Sequence, residues 1–316
     1  MKSLSRTENS DSAEQHESGK HISVKVLEPF NLKLTVECGQ AFRWNRTGSY
    51  YYCVQGRRVL KIRQRANELV VSMSSDTGYF GVLGAIGELF RFDDNIKTIM
   101  EEISRDVNME AALRKYAGLR LMRQDPWECL ASYICSINSN IPKIRGDVER
   151  LSSRYGDEVH FEGRTFWAFP TIDALANARE SELRSMKLGF RSRYLADAAK
   201  KVRDEGIDLT SLRRMEYDRA FEILNEFNGV GPKVADCVLL FSMDKLEAFP
   251  VDRWVKRGVE LLYFGGRTVP IRIVREWAME HFGKFAGYAQ EYLFYSSRLR
   301  KILADDSVSA SESPPP

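Results

Sequence analysis

The spacing of apolar residues changes once along this 316-residue chain, and the change limits the fold to the α+β class. From about residue 22 to residue 74, apolar and polar side chains alternate, which is typical of half-buried strands. Over nearly all of residues 85–302 the spacing is helical instead, as at Ile96, Ile99 and Ile103. The sequence therefore predicts a small antiparallel β-sheet domain followed by a larger, mostly α-helical domain.

Four segments of the first part are predicted to be strands. In the first of them, Leu32, Leu34 and Val36 alternate with polar residues, as expected for a strand with one buried face. The other three are short and closely linked, with turn-forming glycines at Gly48 and Gly56, so we expect antiparallel pairing. Those three segments are residues 50–55, 58–63 and 69–74.

Two domains and two disordered ends are predicted. Residues 1–20 and 305–316 are polar, and they contain too few apolar side chains to bury a core. Between them, residues 21–118 are assigned to the α+β sheet domain and residues 119–304 to the helical domain. The formal net charge is +3 and both ends are acidic overall, so the body between them is the more basic part and suits a polyanionic partner.

Several classes of protein are excluded by the sequence. No apolar run is long enough to span a membrane. The first residues lack the apolar stretch of a secretory signal and are too acidic for a transit peptide, so we expect an intracellular location. The five cysteines are irregularly spaced and the four histidines are scattered, whereas zinc and iron–sulfur sites need clustered ligands. Neither a metal nor a cofactor is expected.

A tight turn between two predicted helices is the most informative segment. It contains Gly229, Val230 and Gly231, and Pro232 then begins a helix that extends to about Met243. That helix is apolar almost all round, so it should be buried. The glycines leave backbone N–H groups exposed at the N-terminus of a rigidly held helix, and this arrangement binds phosphate.

Lys233 lies at the same helix N-terminus, where the helix dipole disfavours a cation. Stability therefore does not explain this lysine, and a role as a nucleophile does. Asp252 follows nineteen residues later, and a nearby carboxylate would move protons and stabilise developing positive charge. Two simpler interpretations stay open at this point: Lys233 neutralises a phosphate, and Asp252 caps the next helix.

The order of these motifs resembles a known family of enzymes. Gly229–Cys237, followed by Pro250–Asp252, is similar to the helix-hairpin-helix, Gly/Pro-rich loop and aspartate of base-excision DNA glycosylases, and most similar to the 8-oxoguanine DNA glycosylases. The resemblance covers roughly residues 25–300 in collinear order. Further matching segments are Cys38–Trp44, Leu121–Pro126, Glu128–Leu130, Ile134–Ser136, Tyr288–Gln290 and Leu293–Phe294.

The resemblance implies a bifunctional glycosylase and abasic-site lyase. In this family the damaged base leaves the helix and enters a pocket, because its glycosidic carbon is inaccessible inside the duplex. By similarity, Lys233 attacks C1′, displaces the base and forms a Schiff base, after which β-elimination cuts the strand on the 3′ side. Asp252 would stabilise the oxocarbenium-like transition state and assist the proton transfers.

Four pocket residues carry over from the resemblance. The Gly39 carbonyl would accept the N7–H that 8-oxoguanine has and guanine lacks. Gln290 would read the Watson–Crick edge, and Phe294, four residues later on the same helical face, would stack on the base. Cys237, four residues after Lys233, would form the opposite wall. The alternatives are a strand bulge at Gly39 and ordinary core packing for Cys237 and Phe294.

Asn138 and Arg191 match family positions that contact the cytosine left opposite the lesion. The chain departs from the family's best-known eukaryotic pattern at three places. Phe190 replaces the usual wedge tyrosine, Lys143 replaces an arginine that helps to read the cytosine, and Trp254 replaces a phosphate-binding histidine. Lysine lacks the planar two-pronged donor of arginine, so discrimination for cytosine should be relaxed.

Two alternative functions stay open. A monofunctional alkylated-purine DNA glycosylase would share the sheet domain and hairpin, but that class relies on the aspartate and lacks the lysine. A non-catalytic helix-hairpin-helix module would bind DNA phosphates, but it would have no use for Lys233, Asp252, Gln290 and Phe294 together. The predicted partner is double-stranded DNA with an oxidised guanine. A monomer is expected, without membrane association.

Overall fold

The computed structural model describes residues 4–6, 21–75 and 78–311, and its first part is built on an antiparallel sheet. The six strands lie in the order β1-β2-β6-β5-β4-β3, and each adjacent pair is antiparallel. The predicted antiparallel sheet is therefore confirmed. The strands are β1 (Leu4–Arg6), β2 (Ile22–Val26), β3 (Asn45–Thr47), β4 (Tyr50–Gln55), β5 (Arg58–Arg65) and β6 (Glu68–Met73).

The strand predicted around Leu34 is wrong, because this segment forms a short helix, α1 (Leu32–Glu37). The Asn31 side chain accepts a hydrogen bond from the Leu34 backbone N–H at 3.0 Å and caps the helix N-terminus. The fully buried positions are Leu32, Thr35 and Val36, which follow a helical spacing. Five alternating residues are too few to distinguish the two-residue period of a strand from the roughly 3.6-residue period of a helix. The end of α1 leads directly into Gly39.

The second part of the chain is mostly helical, which confirms the α+β class. A short hairpin, β7 (Glu158–Phe161) and β8 (Arg164–Trp167), interrupts the helices and was not predicted. The helices are α2 (Gly78–Leu89), α3 (Ile96–Ile103), α4 (Val107–Lys115), α5 (Pro126–Cys135), α6 (Ile141–Tyr155), α7 (Ile172–Asn177), α8 (Glu180–Leu183), α9 (Arg191–Asp204), α10 (Tyr217–Asn225), α11 (Pro232–Ser242), α12 (Arg253–Tyr263), α13 (Ile271–Phe282) and α14 (Ala286–Ser311).

Helices α5 and α11 pack against each other inside the main apolar core. Every residue of α11 from Val234 to Ser242 is buried, as the all-round apolar pattern predicted. A second apolar cluster lies between the sheet and α2, and it includes Ile62 and Ile86. The rigid core therefore holds both the start of α11 and the end of α5. Within the described residues, no helix is long and apolar enough to cross a membrane.

The two ends differ from the predicted disordered tails. Leu4–Arg6 forms the edge strand β1, because its backbone pairs with β2 and needs little apolar burial. At the other end, α14 extends to Ser311, since a helix propagates at little cost until a breaker, and the first proline is Pro314. The rest of both predicted tails lies outside the described residues.

Candidate active site

The turn between α10 and α11 is a compact hairpin. Gly229 has φ +80°, and a Cβ there would overlap the ring of Tyr194, so this position requires glycine. Val230 is buried, and its N–H donates to the Phe227 carbonyl at 3.0 Å. Gly231 is the N-cap of α11, with open space where a side chain would stand. The hairpin therefore presents bare backbone at a fixed helix N-terminus.

Lys233 extends from the start of α11 to the end of α5. Its Nζ donates to Ser136 Oγ at 3.1 Å and lies 4.9 Å from the centre of the Tyr133 ring. Ser136 is the C-cap of α5, whose C-terminal dipole favours a cation. The amine is thus held by a hydroxyl and an aromatic face, and among the described residues no carboxylate forms an ion pair with it.

Asp252 is the N-cap of α12, as one of the simpler interpretations of the sequence proposed. Its Oδ1 accepts hydrogen bonds from the Trp254 and Val255 N–H groups, both at 2.8 Å. Burial raises the pKa of this carboxyl, and the Lys233 charge is among the influences that act against that rise. Capping and catalysis are compatible here, because the cap fixes a buried carboxyl within electrostatic range of the lysine.

The predicted pocket residues Gly39 and Phe294 are neighbours. Gly39 is buried with φ +112°, and a Cβ there would lie 2.5 Å from Ile141 Cδ1, 3.0 Å from Arg298 Nη1 and 3.5 Å from Phe294 Cε1. Both its backbone angle and its surroundings therefore require glycine. The bulge that the sequence left open as an alternative is not formed, because Gly39 lies after α1, outside the strands.

Gln290 and Cys237 are both buried. Gln290 Nε2 donates to the Pro250 carbonyl at 3.2 Å, and its Oε1 has no hydrogen-bond partner within the described part of the chain. A buried acceptor without a partner is costly, so this oxygen suits a ligand that donates to it. Burial raises the pKa of the Cys237 thiol to about 12, so Cys237 is a neutral, compact side chain.

The residues predicted to contact the opposite base cluster around the loop after α5. Asn138 has φ +47°, and its carbonyl accepts from Arg191 Nη2 at 2.7 Å. Lys143 Nζ contacts both Asp147 oxygens at 2.8 Å. Phe190 is 45% exposed and stacks under the Arg191 guanidinium. In this structure Arg191 is buried and holds the loop, so its contact with DNA would replace bonds that it now makes.

Two side chains near the pocket were not predicted. Arg298 Nη1 donates to the Cys38 carbonyl at 2.5 Å. Glu291 is almost completely buried, and its Oε1 has no hydrogen-bond partner within the described residues. Gln290, Phe294 and Arg298 are four residues apart and so lie on one face of a helix. This spacing would have indicated Arg298 as a residue near the pocket. A single glutamate beside Gln290 gives no such signal, because most helical glutamates are exposed.

We predict that Glu291→Gln increases stability at alkaline pH. Burial raises the pKa of Glu291 to about 7 from a usual value of 4.5. The folded state therefore binds this proton more tightly than the unfolded state does. The stabilisation that the proton provides is complete below about pH 4.5 and is lost as pH rises through about 7. At roughly 1.4 kcal/mol per pKa unit, the loss is about 3 kcal/mol.

Urea unfolding of wild type and Glu291→Gln at pH 5 and pH 8.5 measures this difference. The free energy of unfolding of the wild type should fall more steeply with pH than that of the variant. The exposed Glu280→Gln on α13 is the control. Parallel pH dependences for wild type and Glu291→Gln would mean that this carboxyl does not titrate with folding.

Two family models match consecutive parts of the chain. Residues 22–130 match the N-terminal domain of 8-oxoguanine DNA glycosylase. Residues 131–281 match the HhH-GPD superfamily of base excision DNA repair proteins. The two matches meet inside α5 and together span strands β2 to β6, the hairpin and both candidate catalytic residues.

Individual relatives have corresponding names. The chain is 32% identical over 277 residues to the N-glycosylase/DNA lyase OGG1 of Arabidopsis thaliana, covering 83% of this chain and 76% of the relative. It is 34% identical over 218 residues to a probable N-glycosylase/DNA lyase of Methanothermobacter thermautotrophicus, covering 63% and 69%. The solved Clostridium acetobutylicum 8-oxoguanine glycosylase/lyase, bound to DNA with cytosine opposite 8-oxoguanine, superposes with a TM-score of 0.85 at 32% identity, covering 90% and 97%.

Proposed function

This chain belongs to the 8-oxoguanine DNA glycosylase family of the HhH-GPD superfamily, and from that premise we propose that it excises 8-oxoguanine from duplex DNA and cuts the strand at the resulting abasic site. One observation carries the proposal. Lys233 begins at the hairpin and its amine reaches Ser136, within electrostatic range of the buried Asp252 carboxyl. This pair supplies a nucleophile and a charge-stabilising group at one site.

In the proposed reaction, the unprotonated Lys233 Nζ attacks C1′ of the flipped nucleotide. The C1′–N9 bond breaks, and its electron pair leaves with the base, which takes up a proton. Loss of a proton from nitrogen and opening of the sugar ring give the Schiff base. A proton is then removed from C2′, and the C3′–O bond breaks with departure of the 3′ phosphate. The Asp252 carboxylate stabilises the positive charge that develops on the sugar.

The proposed pocket recognises two features of the base, its N7–H donor and its Watson–Crick edge. The Gly39 carbonyl accepts the N7–H of 8-oxoguanine, and the Gln290 amide pairs with the Watson–Crick edge. A hydrogen bond contributes only about 0.5–1.5 kcal/mol net. Guanine would place its N7 lone pair against the buried carbonyl oxygen, so the difference in binding free energy between the two bases should exceed that value. Phe294 and Cys237 form the apolar walls between which the base stacks.

Other residues are proposed to hold the DNA. The backbone N–H groups of Gly229, Val230 and Gly231 bind a phosphate at the start of α11. Phe190, which is exposed, fills the gap left by the flipped base. Asn138 and Arg191 contact the opposite base. The enzyme acts as a monomer inside the cell, with residues 21–118 as its sheet domain and residues 119–304 as its glycosylase domain.

Relaxed opposite-base specificity is a prediction of this assignment. Lys143 is paired with Asp147 and presents a single ammonium, which lacks the bidentate geometry of arginine. The loss of one base-reading contact lowers the discrimination between opposite bases by about 1–3 kcal/mol. We therefore expect excision from 8-oxoguanine:cytosine to exceed excision from 8-oxoguanine:adenine by less than about a thousandfold. Single-turnover rates on the two duplexes measure the ratio, with Lys143→Arg as the matched variant. A larger wild-type ratio, or no increase in Lys143→Arg, would contradict the prediction.

The proposed function is tested with an 8-oxoguanine:cytosine duplex, by measuring base release and strand cleavage in the same reaction. We expect both products, and neither from an undamaged duplex. Base release without cleavage would indicate the monofunctional class, to be checked with alkylated purines. Binding without either product would indicate a non-catalytic DNA-binding module.

A further inference from the structure

Gln40, the residue after Gly39, is completely buried and bonded at both ends of its amide. Its Nε2 lies 3.1 Å from the Thr35 carbonyl, 2.9 Å from the Arg120 carbonyl and 3.2 Å from Cys38 Sγ. Its Oε1 accepts from the Met122 N–H at 2.7 Å. One side chain therefore joins the end of α1 to the segment before α5, where an apolar residue would leave several backbone groups without partners.

The backbone of Gln40 is held from the other side. Its carbonyl accepts from Tyr133 Oη at 2.9 Å and from Gln124 Nε2 at 2.8 Å. The ring of the same Tyr133 contacts the Lys233 ammonium. The peptide next to Gly39 is thus tied through a single side chain to the residue that holds the nucleophile.

Gly39 needs this support because its φ of +112° lies outside the usual regions of the backbone. A glycine in such a conformation has many alternatives unless its neighbours fix it. The Cys38 side is fixed by Arg298, which donates to the Cys38 carbonyl. The Gln40 side is fixed by the amide described above. The Gly39 peptide is therefore clamped on both sides.

We propose that Gln40 is a positioning residue for lesion recognition: its buried amide sets the orientation of the Gly39 peptide relative to Lys233. This inference rests on the proposed function, in which the Gly39 carbonyl reads the damaged base. Gln40 itself does not touch the base. Because an abasic site has no base to read, the clamp matters for base excision and not for cleavage at a preformed abasic site.

The test is Gln40→Met, which keeps the length of the side chain and removes its hydrogen bonds. Two single-turnover rates are measured on one preparation: excision from 8-oxoguanine:cytosine, and cleavage of a preformed abasic site. We expect excision to fall about ten- to a hundredfold, because a misplaced Gly39 carbonyl leaves the buried N7–H of the base without its acceptor. Abasic-site cleavage should stay at the wild-type rate.

Gln64→Met is the matched control. Gln64 accepts from the Leu32 N–H at 2.7 Å and donates to the Phe30 carbonyl at 2.8 Å, so it clamps backbone at the other end of α1. Its loss should lower the melting temperature without changing the ratio of the two rates. Borohydride trapping on abasic DNA counts the active molecules in each preparation, which corrects for partial unfolding.

Three results would overturn the inference: equal falls in both rates for Gln40→Met, no fall in either rate, or the same change of ratio in Gln64→Met. Failure of the proposed function itself is recognised separately. In that case the wild type itself would lack excision of 8-oxoguanine, strand cleavage or both.

Discussion

Lys233→Gln is expected to abolish both base excision and abasic-site cleavage. Glutamine keeps a polar end on a side chain one bond shorter, but its amide nitrogen is not nucleophilic and cannot form a Schiff base. Removal of the nucleophile in other covalent enzymes lowers turnover by several orders of magnitude, so we expect a loss of about 10⁴-fold or more. Single-turnover kinetics on an 8-oxoguanine:cytosine duplex give the value.

The fold of this variant should be unaffected. Lys233 is partly buried, and its charge is opposed by the dipole of α11 but favoured by that of α5, so the two effects largely offset each other. The melting temperature should therefore be close to that of the wild type. Lys97→Gln, at a lysine that is 85% exposed on α3, is the control for the loss of one positive charge. Strand cleavage by Lys233→Gln within tenfold of the wild-type rate would refute the assignment of the nucleophile.

Asp252→Asn is expected to lower the excision rate by about 10²–10³-fold, the usual effect of removing one charge-stabilising group from a buried site. Asparagine caps helices as well as aspartate does, so the bonds to the Trp254 and Val255 N–H groups should persist. Asp252→Ala removes the cap as well and should lower stability by about 1 kcal/mol. The pair of variants separates capping from catalysis.

The pH dependence of the rate provides a second check on Asp252. Burial raises its pKa, so its carboxylate is lost as pH falls through that raised value, and the wild-type rate should fall with it. Asp252→Asn has no such carboxylate, so this acid limb should be absent from its profile. An unchanged acid limb, or a rate for Asp252→Asn equal to that of wild type, would contradict the role.

Long patterns of apolar residues predicted the fold better than short ones. Helix α11 was predicted to within one residue of its end, because glycine and proline mark its start and all its faces are apolar. The strand prediction for the segment at α1 was wrong, since its apolar spacing fits a strand and a helix equally well. The Asn31 cap favours the helix. The β7–β8 hairpin was missed, because both strands are partly exposed and short.

The candidate site shows the same limit. Lys233 stood out from local reasoning alone, because its charge is misplaced on the helix. Gly39 and Gln290 came from resemblance, since no local pattern brings together residues so distant along the chain. The contact of Gln40 with Arg120 spans 80 positions, which is why the clamp around Gly39 was invisible in the sequence. The burial of Glu291 likewise follows from tertiary packing.

The central claim is that Lys233 forms a covalent intermediate with the sugar of the damaged nucleotide. The most direct measurement is borohydride reduction of wild-type protein mixed with an 8-oxoguanine:cytosine duplex, followed by peptide mapping of the cross-linked product. We predict one adduct, on the peptide that carries Lys233, and no adduct with Lys233→Gln. Base release without an adduct, or an adduct on a different residue, would contradict the account.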